Sequence, residues 1–149
     1  MNLSEHFTLE ELTVSDTAAR LGIDNSPTFQ DLDRLKRLAE ALESVRALLG
    51  YSIYISSGYR CPKLNKLIGS KPNSKHTQGL AADFTCKQYG SPLEIVKVIQ
   101  SSNLMFDQCI LEYYNPDTGN GWVHFGLGAE NRRQILTINN HGTFAGVHI

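Results

Sequence analysis

The stretch FQDLDRLKRLAEALESVRALLGYSIYIS, residues 29–56, changes its hydrophobic period partway along. Leu32, Leu35, Leu38, Leu42, Val45 and Leu49 recur at intervals of three and four, which aligns them on one stripe of a helix. Gly50 stands where a left-handed C-terminal cap is expected. Beyond it Tyr51, Ile53 and Ile55 alternate with Ser52, Tyr54 and Ser56, the period-two pattern of a half-buried strand. The stripe is too short, and stops too sharply at Gly50, for a coiled-coil seam, so it predicts one long helix packed on the molecule's own core.

The flanking sequence extends this pattern. Thr8-Leu9-Glu10-Glu11 has the form of a capping box, with Phe7 and Leu12 placed as a hydrophobic staple, and predicts a helix that fades between Ala19 and Gly22. Pro62 opens a short helix through Leu67, because its missing N–H is no loss in a first turn. The loop from Gly69 to Ser74 leads to a strand over 80–85, and a second capping box, Ser91-Pro92-Leu93-Glu94, opens a helix to about Ser101. Strands are expected over 106–114 and 122–125, joined by the turn-rich Asn115–Gly121 loop, with a last hairpin formed by 134–138 and 143–149. Helices early and antiparallel strands late predict an α+β fold, N-terminal helices packed on a mostly antiparallel sheet. No repeat and no linker interrupts the chain, so residues 1–149 are expected to form a single domain.

Composition excludes several classes. The 149 residues carry 14 Lys and Arg against 15 Asp and Glu, a formal charge of -1, with 19% charged and 41% hydrophobic residues. That balance argues against both disorder and nucleic acid as a partner. No apolar run approaches the roughly 20 residues of a membrane span. Met1 to His6 lacks the basic and apolar regions of a secretory signal, which predicts synthesis in the cytoplasm without a signal peptide. Cys61, Cys86 and Cys109 are odd in number and lack C-x-x-C spacing, so they read as buried reduced thiols.

The densest chemical signal is Ser74-Lys75-His76-Thr77-Gln78-Gly79-Leu80-Ala81-Ala82-Asp83. One straight helix would separate His76 from Asp83 by about 10.5 Å, and one straight strand by roughly 23 Å, both too far for ligands of a shared ion. The chain must turn between them; Gly79 permits the turn, and Ala81 and Ala82 let a strand pack closely and aim Asp83 back. A third ligand emerges from the hairpin. If Tyr114 and Trp122 close it, Glu112 pairs with His124 and Leu111 with Phe125. Ile110, Glu112, Tyr114, Trp122 and His124 then share one face, and Cys109, Leu111, Tyr113, Val123 and Phe125 the apolar other. His76, Asp83 and His124 would offer one zinc ion two nitrogens and one oxygen, leaving a fourth position for water. The same donors also suit iron, cobalt or manganese.

Ser57-Gly58-Tyr59-Arg60, Ser74-x-His76-x-x-Gly79-x-Ala81-x-Asp83 and Trp122-Val123-His124 together resemble, in order and spacing, the zinc D-Ala-D-Ala carboxypeptidase family. That family includes phage L-alanyl-D-glutamate endopeptidases. The resemblance runs from about Phe7 to Phe125, and the Phe7 to Asp24 opening is similar to its phage and prophage branch. It implies a zinc-dependent hydrolase of peptidoglycan stem peptides with a Hedgehog-like α+β fold. It also implies zinc on His76, Asp83 and His124, and Arg60 as the group that polarises the scissile carbonyl or binds substrate. Many members carry an acidic catalytic residue three positions before the last histidine, where this chain has Gly121. Glu112 replaces it in the hairpin register, and the Asp107-Gln108-x-Ile110-x-Glu112 pattern resembles the phage-type branch; Asp117 in the loop is the competitor.

On this reading Glu112 accepts a proton from a zinc-acidified water and returns it to the departing amine, while Arg60 faces the carbonyl oxygen. Ser74 is expected to cap its loop or to act in substrate binding. Trp122 is expected to wall the substrate site or to fill core. His6, His141 and His148 read as surface or hydrogen-bonded histidines, and Lys63, Lys66, Lys71 and Lys75 as a solvated loop face or an attractor for an acidic wall polymer. The expected activity is D-Ala-D-Ala carboxypeptidase-like, with an L-alanyl-D-glutamate endopeptidase and a non-catalytic zinc-containing wall-binding module as alternatives. The expected partner is the peptidoglycan stem peptide, met by a monomer of phage or prophage origin that reaches the cell wall after holin-mediated release.

Overall fold

The computed structural model describes residues 1–149. In chain order the elements are α1 (Leu9–Thr13), α2 (Asp16–Leu21), α3 (Phe29–Leu49), β1 (Tyr54–Ser57), α4 (Pro62–Leu67), a 3-10 turn (Lys75–Gln78), β2 (Ala81–Thr85), α5 (Pro92–Ser101), β3 (Gln108–Glu112), β4 (Trp122–Gly126), β5 (Gln134–Asn139) and β6 (Gly142–Ala145). One six-stranded sheet has the order β1-β2-β4-β3-β5-β6. All its pairings are antiparallel except β3 with β5, which run parallel. The fold is α+β, as the sequence predicts.

The long helix has the predicted bounds because its ends are chemically marked. Thr28 Oγ1 accepts from the Asp31 N–H at 3.1 Å, Asp31 reaches back to the Thr28 N–H, and Gly50 closes the C-terminus in the left-handed region. Leu35, Leu38, Leu42 and Val45 are fully buried, whereas Leu32 is only half-buried. They pack with Ile95, Val96 and Ile99 of α5 against the inward sheet face of Ile55, Ala82, Phe84, Cys109, Leu111, Val123 and Phe125. Each fully buried aliphatic side chain is worth about 1.5–3 kcal/mol relative to exposure. The opposite sheet face is thereby left to carry polar residues.

Four local expectations change. The opening helix is two helices, since Val14 is extended at φ -66, ψ 139 and Ser15 caps a new start by accepting from Ala18. The first strand begins at Tyr54 rather than Tyr51, with an irregularity between Ile55 and Ser57. Cys61 is half-buried, unlike Cys86 and Cys109, and accepts from the Leu64 N–H at the start of α4. The β3–β4 register also differs from the expected one: Glu112 pairs with Trp122 and Ile110 with His124, two residues away from the Glu112–His124 pairing. The cause is Tyr113, which leaves the strand at φ 51 and donates its N–H to Ile138 O. Tyr113 consequently lies exposed against the Trp122 ring, and Tyr114 packs on the core, the reverse of the expected sides.

Candidate metal centre and active site

Three elements deliver the site. The 3-10 turn ends at Gly79 with φ 73, and the chain re-enters the sheet as β2, carrying Asp83 onto the polar face. Asp83 pairs with His124 across β2–β4, so these two side chains meet by register alone. His76 comes in from the turn. Its Nδ1 lies 2.8 Å from the Gly58 carbonyl, which can only accept, so Nδ1 carries the proton and Nε2 presents its lone pair. His76 Nε2 is 3.3 Å and His124 Nδ1 3.1 Å from Asp83 Oδ1, and the rings stand edge-on at 5.1 Å. One donor atom from each of His76, Asp83 and His124 lies within 4.8 Å of the other two. Two imidazole nitrogens and a carboxylate oxygen converging this way suit a borderline divalent ion such as zinc.

The charges around this cluster are uneven. Burial opposes ionisation of Asp83, yet the two imidazoles outweigh it and hold its carboxyl below the usual range. Glu112 behaves oppositely: burial, reinforced by the Asp83 anion, pushes it up to about 7, against the opposing pull of His124 and Arg60. Glu112 Oε1 sits 3.6 Å from His124 Nδ1. The Trp122 indole N–H favours the charged form of Glu112 but falls short of a formed hydrogen bond and is left buried without a partner. Burial lowers the Arg60 pKa, and the Asp83 and Glu112 charges work against that. Arg60 donates from Nη2 to Ser74 Oγ at 3.4 Å, while its buried Nε has no partner. Arg60 Nε and the Trp122 indole N–H are thus two buried donors left without a hydrogen-bond partner.

The structure brings together His76, Asp83, His124, Glu112 and Arg60. Ser74 supports the turn by accepting from the His76 N–H at 3.3 Å as well as from Arg60. Asp117 is exposed in the loop, where its N–H is held by Asn115 Oδ1 at 2.9 Å, and no hydrogen bond or ion pair ties its carboxylate to the cluster. Gly121 has φ 119, and a side chain there would meet the Tyr114 backbone at 2.7 Å, so the tight loop closure excludes an acid at that position. His6 binds Glu43 through Nδ1 at 2.7 Å, and His141 and His148 lie exposed.

One support escaped the sequence reading. Arg34 donates from Nε to the Gln78 carbonyl at 2.5 Å and from Nη2 to Asp31 Oδ1 at 2.6 Å, tying α3 to the turn that holds His76. Burial raises the Asp31 carboxyl, but bonds from Thr28 and Arg34 more than offset it and leave it below its ordinary value. The signal was present as Thr28-x-x-Asp31, a capping pattern with an acid at its last position.

Two clefts lie beside neighbours of this centre, though neither is lined by His76, Asp83, His124 or Glu112. One, of about 610 Å³, is lined by Trp122, Ser56, Tyr54 and the 118–121 loop; the other, of about 270 Å³, by Arg60, Tyr59, Ser56, Ser57 and the start of α2. Comparison with protein families gives one match, Peptidase M15, over residues 5–124, ending on His124. No curated protein matches the chain closely enough to count as a relative. β5 and β6 lie beyond the matched residues. With a match over most of its length, and a His-Asp-His group able to hold one ion, the chain belongs to the M15 peptidases, zinc-dependent metallopeptidases that act on peptidoglycan.

Proposed function

We propose that this chain is an endopeptidase that hydrolyses an internal amide bond of the peptidoglycan stem peptide, such as the L-alanyl-D-glutamate bond. The observation that carries this choice is the pair of clefts sharing Ser56, one on the Arg60 side and one on the Trp122 side. Substrate continuing past the cut in both directions needs a site open at both ends. His76, Asp83 and His124 hold the zinc, which when bound supplies a Lewis acid that acidifies water and polarises a carbonyl. Glu112 accepts the proton, for which its raised affinity suits it, and then hands it on to the departing amine. Arg60, a cation close enough to feel the Asp83 and Glu112 charges, donates to the oxygen that gains charge.

D-Ala-D-Ala carboxypeptidase activity is the second reading, supported by the order of the motifs from Ser57 to His124. The two are separated by timing hydrolysis of a stem peptide extended on both sides of L-Ala-D-Glu against one ending in free D-Ala-D-Ala. Preference for the extended peptide supports the proposal; cleavage of the terminal bond alone overturns it. Hydrolysis of neither, with zinc bound, favours a wall-binding module. The similarity of the Phe7–Asp24 segment further supports a phage or prophage lysis enzyme released through a holin, which appearance of the protein outside intact, unlysed cells would contradict.

A further inference from the structure

The cleft lined by Trp122 contains none of the three candidate metal ligands, yet sheet register places it beside them. Tyr54 pairs with Thr85, and Phe84 pairs with Val123, so Thr85 and Trp122 are the next facing positions along β2 and β4. Tyr54 and Trp122 therefore stand two strands apart, about 9–10 Å. Thr85 lies between them, and all three line the cleft. Two aromatic walls with a small floor make a slot for one extended chain. The slot starts beside the Asp83–His124 row, because Thr85 and Trp122 are each two positions along their strands from those residues.

At its far end the slot has a single charge. Lys87 is the one ionisable side chain with a formal charge among the twelve lining residues, which otherwise offer hydroxyls such as Ser56 and Ser91 and the amide of Asn120. Lys87 is exposed, and no ion pair or hydrogen bond occupies its ammonium. Glu94, the acid beside Gly90, instead accepts from the Ser91 N–H at 3.2 Å. A cation without an internal partner, at the end of an otherwise uncharged polar slot, selects an anion. Four residues of chain separate Lys87 from Asp83, at most about 14 Å, the span of a few extended peptide residues.

Resting on the reading of this chain as a stem-peptide peptidase, we infer that the Tyr54–Trp122 slot is a subsite for a carboxylate-bearing segment of the substrate, and that Lys87 recognises the carboxylate. The carboxylate has two sources in a stem peptide, a carboxyl group within the chain at glutamate and the terminal carboxyl.

The test uses the full-length, zinc-loaded protein and three synthetic stem peptides: one with both carboxylates free, one amidated at the glutamate carboxyl, one amidated at the terminus. Amidating the recognised group should raise KM by about three- to tenfold, the range of an ion pair between exposed and partly desolvated. Lys87→Met should abolish that preference, Lys87→Arg should restore it, and the amidation that matters names the source. A wild-type protein indifferent to both amidations, or Lys87→Met protein that keeps the preference, overturns the inference. If none of the peptides is hydrolysed, the peptidase reading fails on its own. Calorimetric binding of the same peptides to zinc-loaded Glu112→Gln protein then decides the subsite by the same comparison.

Discussion

Glu112 and His124 are not cross-strand partners, yet Glu112 Oε1 lies 3.6 Å from His124 Nδ1. Glu112 faces Trp122 and reaches His124 along the diagonal of the hairpin, a separation that long side chains bridge on one sheet face. A proton acceptor is thereby placed beside the candidate metal site without being one of its three converging groups.

Glu112→Gln keeps this shape but removes the acceptor. Hydrolysis should fall by about 10²–10⁴-fold, with zinc content and melting temperature close to wild type. Asp117→Asn, in an exposed loop, should retain wild-type turnover. Rates and metal analysis on the two purified variants check both; the reverse pattern would make Asp117 the base.

Arg34 bonds to none of the candidate metal ligands and can act on a bound ion only through the turn that bears His76. Arg34→Ala should weaken zinc affinity roughly tenfold, the size usual for groups that orient a ligand, with the protein still folded. Chelator competition reads this directly. Affinity equal to wild type would reduce the Arg34–Gln78 bond to a structural detail.

Asp31 supplies a pH signature. Its folded pKa lies below its ordinary value of 3.8, so its contribution to stability is complete above that value and is lost as pH falls through the folded one. Asp31→Asn should therefore cost about 1–3 kcal/mol near neutrality, and the gap should shrink below about pH 3.8. Urea denaturation at pH 7 and pH 3 measures it; a gap of the same size at both would contradict the assignment.

Zinc should stabilise the fold it binds. At free zinc a thousandfold above its dissociation constant, linkage gives about 4 kcal/mol, or roughly 10 °C in a chain of this size. Chelation should lower the melting temperature accordingly. An unchanged melting curve after verified metal loss would separate the ion from folding.

Gly79→Ala should be damaging for two independent reasons. The residue has φ 73, and an added Cβ would meet the Asp31 carbonyl oxygen at 2.7 Å. The strain alone is worth about 1–3 kcal/mol, and relief of the clash would move the turn that holds His76. Loss of both stability and zinc affinity is expected; a variant matching wild type in both would show that the turn adapts freely.

The helix Phe29–Leu49 and the starts at Thr8 and Ser91 are legible in the sequence because their signals are local: a stripe of leucines, a capping hydroxyl, an acid three residues on; the same signal at Thr28 went unread. The convergence of His76 and Asp83 follows from the impossibility of a straight path and the glycine between them. The hairpin register is missed by two residues, because nothing local announces that Tyr113 turns out of the strand. A slip of two keeps every residue of the paired segments on its face, so Glu112 and His124 were still placed together. The parallel pairing of β3 with β5, and the reach of Arg34 to Gln78, join distant parts of the chain and leave no periodic trace.

Mass spectrometry of purified muropeptides incubated with zinc-loaded protein tests the central claim most directly. The account predicts fragments whose masses correspond to addition of water across an internal stem-peptide bond, produced by wild type and lost with Glu112→Gln. Intact muropeptides after incubation with verified zinc-loaded wild type, or equal cleavage by the Glu112→Gln protein, would contradict it.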